Sequence, residues 1–573
     1  MAGQPNFGPN VIVFDPSMPT SEVQASVDAI AEKQVSNQFG RQRYALLFRP
    51  GSYGTPQHPL VFQVGYYTEV AGLGASPSNV TIHGHVDVYN RCLPAARGAS
   101  DCTALVNFWR SLSNLTINVV GAQGCRASAE FWAVSQAAPM RRVQITGGPL
   151  SLMDYCTVGP QYASGGFIAD TVASSVTNGS QQQFLIRNSS IGRWSNAVWN
   201  QVFAGVQGAP AQSLPTPTYT TLDRNPWSRA EPYLYLDDTG TYDVFVPAAQ
   251  RDSRGTSWQA GHVAGRSIPI ADFFIARPSD RISTINRELA LGKHLILTPG
   301  VYGVDQTIKI ERADTVVLGL GLATLTAHNG VAAMSVAGVP GVDIAGLIFD
   351  AGPVTSPALL QVGPSHGRQG RANPNDPTTL QDVFFRIGGP HVGKATVSLV
   401  VNSKDVILDD IWAWRADHGK GVGWTVNTGD TGVVVNGDDV TATGLFVEHY
   451  QKYEVMWRGE RGRTVMFQNE MPYDAPDQGA WRHGEVLGYA AYKVAGSVRT
   501  HEAWGLGSYI YTNVDPALHA STAIEVPRTA GVRMHDLLTI SLDHAGTIDH
   551  VVNDTGGPVT PTHLGPSTVV TYP

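Results

Sequence analysis

The sequence predicts an all-β protein built from two tandem right-handed parallel β-helices. Three observations support this: few charged residues, a block of elements that occurs twice, and short apolar strands at irregular spacing between glycine- and asparagine-containing turns. Charged residues make up 15% of the 573 residues, below the ~25% typical of globular domains. Such a composition is typical of all-β proteins that handle neutral ligands.

The repeated block marks the start of each β-helix. In the first copy an amphipathic helix from Ser21, with a predicted capping box to Gln24, leads to a strand at 44–48. A Pro-Gly turn and a Gly-Leu-Gly segment follow at 50–54 and 70–74. The second copy repeats these elements in the same order, with a helix from Ser279, a strand at 294–297, a turn at 298–303 and a glycine segment at 317–321. We expect the helix and first strand to cap each solenoid end.

The domain boundary is predicted near residue 260. Prolines interrupt regular structure from about residue 207, so this stretch is interpreted as a connector. We therefore predict an N-terminal β-helix domain at 1–260, which includes the connector, and a C-terminal β-helix domain at 261–573 that carries the catalytic acid. Predicted strands include 115–117, 143–145, 167–169 and 184–186 in the first domain and 342–348, 406–408, 433–435 and 440–447 in the second.

Charge and hydropathy exclude several partners. The net charge is −8 and no basic run occurs, which argues against nucleic acid and disfavours a polyanionic substrate. No apolar run approaches the ~20 residues that span a bilayer, so no membrane partner is expected. The first residues do not form a signal peptide, and we expect a secreted monomer whose export signal lies outside this sequence.

The four cysteines, Cys92, Cys102, Cys125 and Cys156, allow three disulfide pairings. Their spacing matches no zinc motif, and disulfides are expected in a secreted protein. Pairing Cys92 with Cys102 and Cys125 with Cys156 closes the shortest loops and is our prediction. Because no HExxH, EF-hand loop or spaced Cys/His set occurs, we also predict neither a metal nor a cofactor.

Aromatic side chains in turn-like contexts point to a carbohydrate ligand, because sugar rings stack on aromatic rings. A groove between two β-helices would suit a polysaccharide. The residues predicted to contact sugar are Trp194, Trp199, Trp457, Tyr473, Trp504 and Tyr509. For each one, packing in the core or between domains is the alternative.

Glycoside hydrolysis requires a proton donor, and a carboxyl group in apolar surroundings keeps its proton near neutral pH. Glu502 lies in His-Glu-Ala-Trp-Gly, next to an aromatic and small residues, in a stretch poor in cations. Its alternative is a structural pair with Arg499 or His501. Glu470 follows a strand and precedes a turn, where it could instead accept a turn-stabilising hydrogen bond. Glu448, within 446–450, is predicted to be mainly structural.

The first domain offers amides and hydroxyls instead of carboxylates. Gln183, Ser195 and Gln201 lie near Trp194 and Trp199. These side chains could form a polar wall that holds a sugar ring and a water molecule. The alternative is a ladder of polar side chains that satisfies the turns of the β-helix.

Several motifs together resemble glycoside hydrolase family 55, the β-1,3-glucanases with two tandem, pectate-lyase-like β-helices in a rib-cage arrangement, and the resemblance covers nearly the whole chain. They are the Pro-Gly-x-Tyr segments at 50–53 and 299–302, Gly-Tyr-Tyr-Thr at 65–68, Asn-Phe-Trp-Arg at 107–110, Val-Trp-Asn-Gln at 198–201, Gln-Asn-Glu-Met-Pro-Tyr at 468–473 and His-Glu-Ala-Trp-Gly at 501–505.

The resemblance implies an inverting exo-β-1,3-glucanase that releases glucose from laminarin-type β-1,3-glucan, with a glutamate donor in the second domain that matches Glu502. No carboxylate is obvious opposite it, so Glu470 with Ser195, Gln183 and Gln201 is expected to activate water. Two alternatives stay open. The first is a polygalacturonase-like enzyme, whose chemistry uses clustered aspartates such as those at 409–410 and 417. The second is a β-helical protein that binds glycan without cleaving it.

Overall fold

The computed structural model describes residues 4–94, 100–179, 183–195, 198–261, 263–365 and 370–573. The chain divides into two compact units. The N-terminal unit comprises Met1–Arg277, Ile296–Gly300 and Gly319–Ala323, and the C-terminal unit comprises Pro278–Leu295, Val301–Leu318 and Thr324–Pro573. In both units parallel strands account for most of the regular structure, which confirms the predicted fold class.

The two α-helices lie where the repeated block predicts them. The first spans Thr20–Gln34 and the second spans Ile282–Ala290, and each buries its periodic apolar positions. The predicted capping box is wrong, because Ser21 lies inside the first turn and makes no capping bond. The Gln24 amide instead exchanges two hydrogen bonds with the backbone of Val61. No helix in the described part of the chain is long and apolar enough to cross a membrane.

Parallel strands of the N-terminal unit stack coil upon coil. The main sheet contains Val11–Phe14, Tyr44–Phe48, Gly51–Tyr53, Leu60–Gln63, Thr68–Gly72, Val80–Asp87, Arg110–Val119, Met140–Thr146, Gly166–Ala169, Val172–Ala173, Gln183–Arg187, Ser190–Ile191, Asn200–Ala204 and Tyr219–Leu222. A second sheet contains Glu130–Phe131, Leu150–Ser151, Val176–Thr177 and Trp194–Ser195. Apolar side chains from both sheets fill the space between them. This arrangement is a parallel β-helix.

The proline-rich connector forms antiparallel strands, unlike the coils before it. They are Asn225–Ser228 with Gln250–Ser253, and Tyr233–Leu236, Tyr242–Pro247 and Gly265–Pro269. A further hairpin, Arg91–Pro94 with Ser100–Thr103, sets Cys92 opposite Cys102. Disulfides join Cys92 to Cys102 and Cys125 to Cys156, so the predicted pairing is confirmed.

The C-terminal unit repeats the stacked arrangement with longer strands. Its main sheet contains Val301–Val304, Val316–Gly319, Thr324–Ala327, Asp343–Asp350, Thr378–Ile387, Val406–Arg415, Val440–Glu448, Gly462–Glu470, His501–Ile510, Val532–Ser541 and the antiparallel Ser567–Tyr572. A second sheet contains Ile308–Ile310, Met334–Val336, Ser356–Val362, Ala395–Val401, Gly429–Val435, Val455–Trp457, Tyr492–Val494 and Ile524–Glu525. Shorter strands of this unit are Arg482–His483, Val486–Leu487, His519–Ala520 and Thr547–Ile548. Of two further short strands, Phe273–Ala276 belongs to the N-terminal unit and His294–Leu297 is divided between the two units.

A stacked row of left-handed residues bends the long strands of the C-terminal unit at one level. These residues have φ between +52° and +72°, and the strand register sets each beside the next: Gly346, Asp382, Asp410, Gly444, Met466, Gly505 and Asp536. Glycine and aspartate predominate because other L-residues are strained in this conformation. Each long strand therefore has an arm before the bend and an arm after it.

Gly444→Ala is expected to lower the free energy of unfolding by about 1–2 kcal/mol, because alanine is strained at its φ of +72°. The measurement is the urea unfolding midpoint. Gly496→Ala is the matched control, since a Cβ there meets no atom within 4 Å and φ lies outside the left-handed region. Equal midpoints for the two variants would contradict the role of the bend.

Candidate active site

Two rows of side chains line one face of the strand arms that follow the bend. One row contains Asp350, Arg386, Trp414, Glu448, Glu470, Tyr509 and Ile540, and the other contains Ile348, Phe384, Trp412, Phe446, Gln468, Gly507 and Leu538. On the opposite face, the row from Leu347 to Leu537 is wholly apolar and buried, and the row from Phe349 to Thr539 is buried and apolar except for Asn469, Ser508 and Thr539. Because successive side chains in a strand alternate between faces, both mixed rows point away from this apolar interior.

Glu448 and Glu470 are direct neighbours in the first row. They lie 22 residues apart in sequence, but their strands pair in register. Neighbouring strands are ~4.8 Å apart, so the two carboxyl groups share one small space. The fold therefore places together two acids that repel each other when both are ionised.

Glu448 is the more buried member of this pair, at 3% exposure. Its Oε2 accepts a hydrogen bond of 3.1 Å from Trp412 Nε1. Burial and the neighbouring Glu470 carboxylate raise the pKa of Glu448 well above its ordinary value. The pair therefore holds a proton to higher pH than an isolated glutamate does.

Glu470 lies at the rim of the pair, at 7% exposure. Tyr473 donates its hydroxyl hydrogen to Glu470 Oε2 at 2.7 Å, and His449 Nε2 lies 3.4 Å from the same oxygen. The Tyr473 ring packs edge-on against His449 and Tyr511, with centroids 4.3 and 5.0 Å away. These contacts fix the orientation of the Glu470 carboxyl group.

His449 links this pair to Asp417. Its Nδ1 lies 3.1 Å from the Met471 carbonyl oxygen, which can only accept, so Nδ1 carries a hydrogen. Nε2 faces Asp417 Oδ1 at 3.8 Å. Although burial raises it, the hydrogen bond from His418 and the charges of His449 and His418 lower the pKa of Asp417 to about 2. Asp417 is therefore ionised at neutral pH.

Arg415 supports the loop that carries Tyr473. Its guanidinium binds both Asp474 oxygens at 2.9 Å, and it donates to the carbonyl oxygens of Asn427 and His449 at 2.7 and 3.1 Å. Arg415 is almost fully buried, and removing one partner of a buried, fully bonded ion pair is strongly destabilising. The ion pair therefore holds the segment after Glu470 in a single position.

The acidic pair could also bind a cation. The ligand atoms of Glu448, His449 and Glu470 lie within 4.8 Å of one another. Trp412 and Tyr473 each donate to one oxygen of a carboxylate, and the second oxygen of each remains for a cation or a proton. The chemistry that this set supplies without further components is general acid catalysis by a carboxyl group with a raised pKa.

Glu502 occupies a different environment from the one predicted. It lies before the bend, and its register partners on the two neighbouring strands are Arg463 and Arg533. Its side chain is 38% exposed and bonds His535 Nε2 at 3.0 Å. The expectation of cation-poor, apolar surroundings is therefore wrong, because it considered chain neighbours alone.

Glu502 and Glu470 are not members of one carboxylate pair. Glu470 pairs in register with Tyr509, whereas Glu502 pairs with Arg463, seven positions away on the same strand pair. The bend at Met466 and Gly505 lies between these positions. A direct acid–base partnership of the two residues thus has no support in the register, and the catalytic role of Glu502 stays a prediction of the resemblance.

The predicted sugar-contacting aromatics of the C-terminal unit lie in three settings. Tyr473 contacts Glu470, and Tyr509 is buried beside it, where burial and then the Glu470 charge raise its pKa. Trp504 is partly exposed and stacks on His535 with centroids 5.6 Å apart. Trp457 is fully buried and packs on His501, which argues against the predicted sugar contact because the ring has no free face.

In the N-terminal unit the predicted polar wall is divided by the strand register. Gln183 is paired with Asn200, whereas Gln201 is paired with the core residue Phe184. Gln201 therefore points inward, where it accepts a hydrogen bond from Asn178, and this argues against contact with a sugar. Gln183 lies on the opposite face of the strand from Gln201, but its side chain is also fully buried, at 0% exposure.

The other predicted residues of this unit occupy the second sheet and its edge. Ser195 lies in Trp194–Ser195, with its hydroxyl 3.3 Å from Thr177 Oγ1. Trp194 packs edge-on against the core residue Phe203 and belongs to the hydrophobic core, which argues against sugar stacking. Trp199 is partly exposed and stays a candidate.

Sequence reasoning missed the roles of Glu448, His449 and Asp417. A signal was present: Gly444 and Met466 begin segments of equal length that end in Glu448 and Glu470, at a 22-residue offset. Aligning consecutive coils would have brought the two glutamates together. Asp417 and Trp412 had no such signal, because their contacts depend on loop conformation and side-chain direction.

Comparisons with known proteins agree with this architecture. A family model described as the LAM55 pectate lyase-like domain matches residues 273–470. The chain is 50% identical over 574 residues to an exo-beta-1,3-glucanase of Streptomyces sp. (strain SirexAA-E / ActE), which spans 100% of this chain and 91% of that relative. The structure of sacteLam55A from Streptomyces sp. SirexAA-E superposes with a TM-score of 0.92 at 50% identity over 100% of both chains.

A variant of the same Streptomyces protein, E502A in that protein's own numbering, has been solved in complex with glucose. It matches with a TM-score of 0.92 and 49% identity over 100% of this chain and 99% of that one. Fold, site and relatives together define a glycoside hydrolase on a parallel β-helix. The chain belongs to glycoside hydrolase family 55, the β-1,3-glucanases. This membership contradicts the non-catalytic glycan-binding alternative and leaves the polygalacturonase-like one without support.

Glu448→Gln is expected to stabilise the protein increasingly as pH rises above about 4.5, the ordinary pKa of glutamate. Because the folded-state pKa is raised, the wild type loses stability above that pH by up to about 1.4 kcal/mol per pH unit. The Gln variant lacks this loss and still accepts the Trp412 hydrogen bond. Thermal unfolding at pH 4, 6 and 8 measures the difference, with the exposed Glu485→Gln as the control. A difference independent of pH would contradict the raised pKa.

Proposed function

We propose that this chain is a secreted, monomeric exo-β-1,3-glucanase that removes glucose from the ends of laminarin-type β-1,3-glucan with inversion, and that Glu502 is its proton donor. The assignment of the donor comes from the family resemblance of the segment at 501–505, and the observation that supports it is the exposure of the Glu502 carboxyl group, at 38%, which leaves it accessible to a substrate. Support for the substrate comes from the Streptomyces relative, which is named an exo-beta-1,3-glucanase, and from the glucose complex of its variant.

Glu502 is favoured over Glu470 because its side chain is 38% exposed, whereas that of Glu470 is 9% exposed. In the proposed step the proton leaves the Glu502 carboxyl group for the glycosidic oxygen while the bond from that oxygen to the anomeric carbon breaks. His535 Nε2, 3.0 Å from Glu502 Oε1, is placed to stabilise the new carboxylate.

Water attacks the anomeric carbon from the other face and gives up one proton. In inverting enzymes the group that accepts this proton lies roughly 6.5–9.5 Å from the acid. We assign the acceptance of this proton to Glu470, with Gln183 and Ser195 holding the water, on the strength of the family resemblance, and we omit Gln201, which points into the core.

Secretion is supported by the two disulfides, since such bonds persist in oxidising compartments. No free cysteine occurs in the chain, which fits the same compartment. A neutral polysaccharide also fits the low charge density, because the protein needs no basic patch to bind it.

Glu502→Gln is expected to reduce kcat on β-1,3-gluco-oligosaccharides by about 10²–10⁴-fold, the usual contribution of general acid catalysis. Glu485→Gln, which changes a fully exposed carboxylate, is the matched control and should keep wild-type turnover. Products are followed by chromatography, with polygalacturonate as a substrate that should yield none.

An aryl β-glucoside with a good leaving group provides the second readout, because its departure needs little protonation. The loss in Glu502→Gln should be much smaller on that substrate. If Glu470→Gln is instead the variant with the large, leaving-group-dependent loss, the assignment of the donor passes to Glu470 and its pair with Glu448.

Inversion predicts that the first glucose released has the α configuration, since the β-glycosidic bond is displaced by a single attack of water. Proton NMR during the first minutes of hydrolysis distinguishes α- from β-glucose before mutarotation mixes them. An initial β signal would show retention and would require a carboxylate nucleophile in place of activated water.

A further inference from the structure

A second buried cluster of titratable groups lies in the N-terminal unit and has no part in the chemistry above. His85 and Asp87 are two residues apart on the strand Val80–Asp87, so their side chains share one face. Glu130 begins the strand Glu130–Phe131. All three side chains are fully buried, at 0% exposure.

The two carboxylates are held by hydrogen bonds that cross between these strands. Glu130 Oε1 accepts from the Val86 backbone N–H at 3.0 Å, and Asp87 Oδ1 accepts from the Phe131 backbone N–H at 2.9 Å. Asp87 Oδ2 also accepts from the Tyr89 hydroxyl at 2.6 Å. These bonds leave the two acids side by side in a site without water access, an arrangement that needs a compensating positive charge or a proton.

His85 supplies a nitrogen to this site without a hydrogen bond. Among the residues that the structure describes, neither ring nitrogen has a hydrogen-bond partner, which is rare for a buried polar group. Nδ1 is directed at the acids, 3.5 Å from Asp87 Oδ2 and 3.6 Å from Glu130 Oε2. These distances are long for hydrogen bonds to nitrogen.

The same distances fit a shared metal ion. Nitrogen and oxygen ligands bind Zn²⁺ at about 2.0–2.2 Å, so two ligands of a tetrahedral ion are separated by about 3.3–3.6 Å. One imidazole and two carboxylates form a ligand set that suits zinc. Two negative charges and one divalent cation also sum to zero, which removes the penalty of burying adjacent acids. The nearby Arg126 is not available for this purpose, because Asp154 binds it.

We propose that His85 Nδ1, Asp87 Oδ2 and Glu130 Oε2 bind a Zn²⁺ ion that joins the two sheets of the N-terminal unit. Val80–Asp87 belongs to the main sheet and Glu130–Phe131 to the second sheet. The ion is structural, because the ligands have no exposed surface on which a substrate could bind. Its presence is independent of the proposed glucanase mechanism.

The test uses the full chain without a histidine tag, because a tag binds zinc itself. The protein is treated with a chelator, dialysed against ZnCl₂, freed of excess metal and analysed by mass spectrometry for metal content. We expect one zinc per chain and a thermal midpoint several degrees above that of the chelated protein. His85→Gln should lose both the ion and the thermal shift.

His449→Gln is the matched control, because it removes the histidine of the other acid–histidine cluster and should keep one zinc per chain. If His85→Gln does not fold, cobalt substitution of the wild type replaces it, with a tetrahedral Co²⁺ visible spectrum as the expected result. Absence of stoichiometric zinc and of that spectrum would overturn the proposal, as would zinc retained by folded His85→Gln. Zinc lost only in His449→Gln would place the ion at the other cluster and overturn it equally.

Discussion

The in-register stacking of bent parallel strands is the constraint on which both the fold and the site depend. Each coil must repeat the left-handed bend of the coil below it, because a strand that bent one residue later would lose its backbone partners and reverse its faces. Once the bends are aligned, every position before or after them becomes a row running along the helix axis. Glu448 and Glu470 are neighbours for this reason alone, since each lies four residues beyond its bend.

Stacking in register readily places two acidic side chains side by side, but such a pair is energetically unfavourable when both are ionised. Two carboxyl groups on adjacent strands repel each other, and burial makes their ionisation harder still. The surrounding residues limit that penalty with neutral donors, Trp412 on one acid and Tyr473 on the other, in place of a cation. Neutral donors leave the proton on the pair, whereas an arginine would have removed it. The choice of partner therefore determines whether the pair can act as an acid.

The elements that depend on residues close together in sequence were predicted from the sequence. The capping helices, the strands at 44–48 and 294–297 and the disulfides followed from periodicity, repetition and short spacing. The site did not, because its contacts come from other coils. The surroundings of Glu502 appeared apolar from its neighbours in the sequence, yet Arg463 and Arg533 are its register partners on the two adjacent strands. Gln201 appeared available, yet the register with Phe184 turns it into the core. Only an alignment of coil with coil would have exposed these facts.

The two acid–histidine clusters show how the same residue types serve different chemistry. In both, a histidine nitrogen faces two carboxylates, and burial raises the pKa of one acid. His449 has its Nδ1 engaged by a carbonyl and sits beside an acid that reaches the surface, so a proton can enter and leave. His85 has no such engagement, and its acids are enclosed on every side by strands and backbone donors. An enclosed pair cannot exchange protons with a substrate, so compensation by a bound cation is the physically consistent role for it.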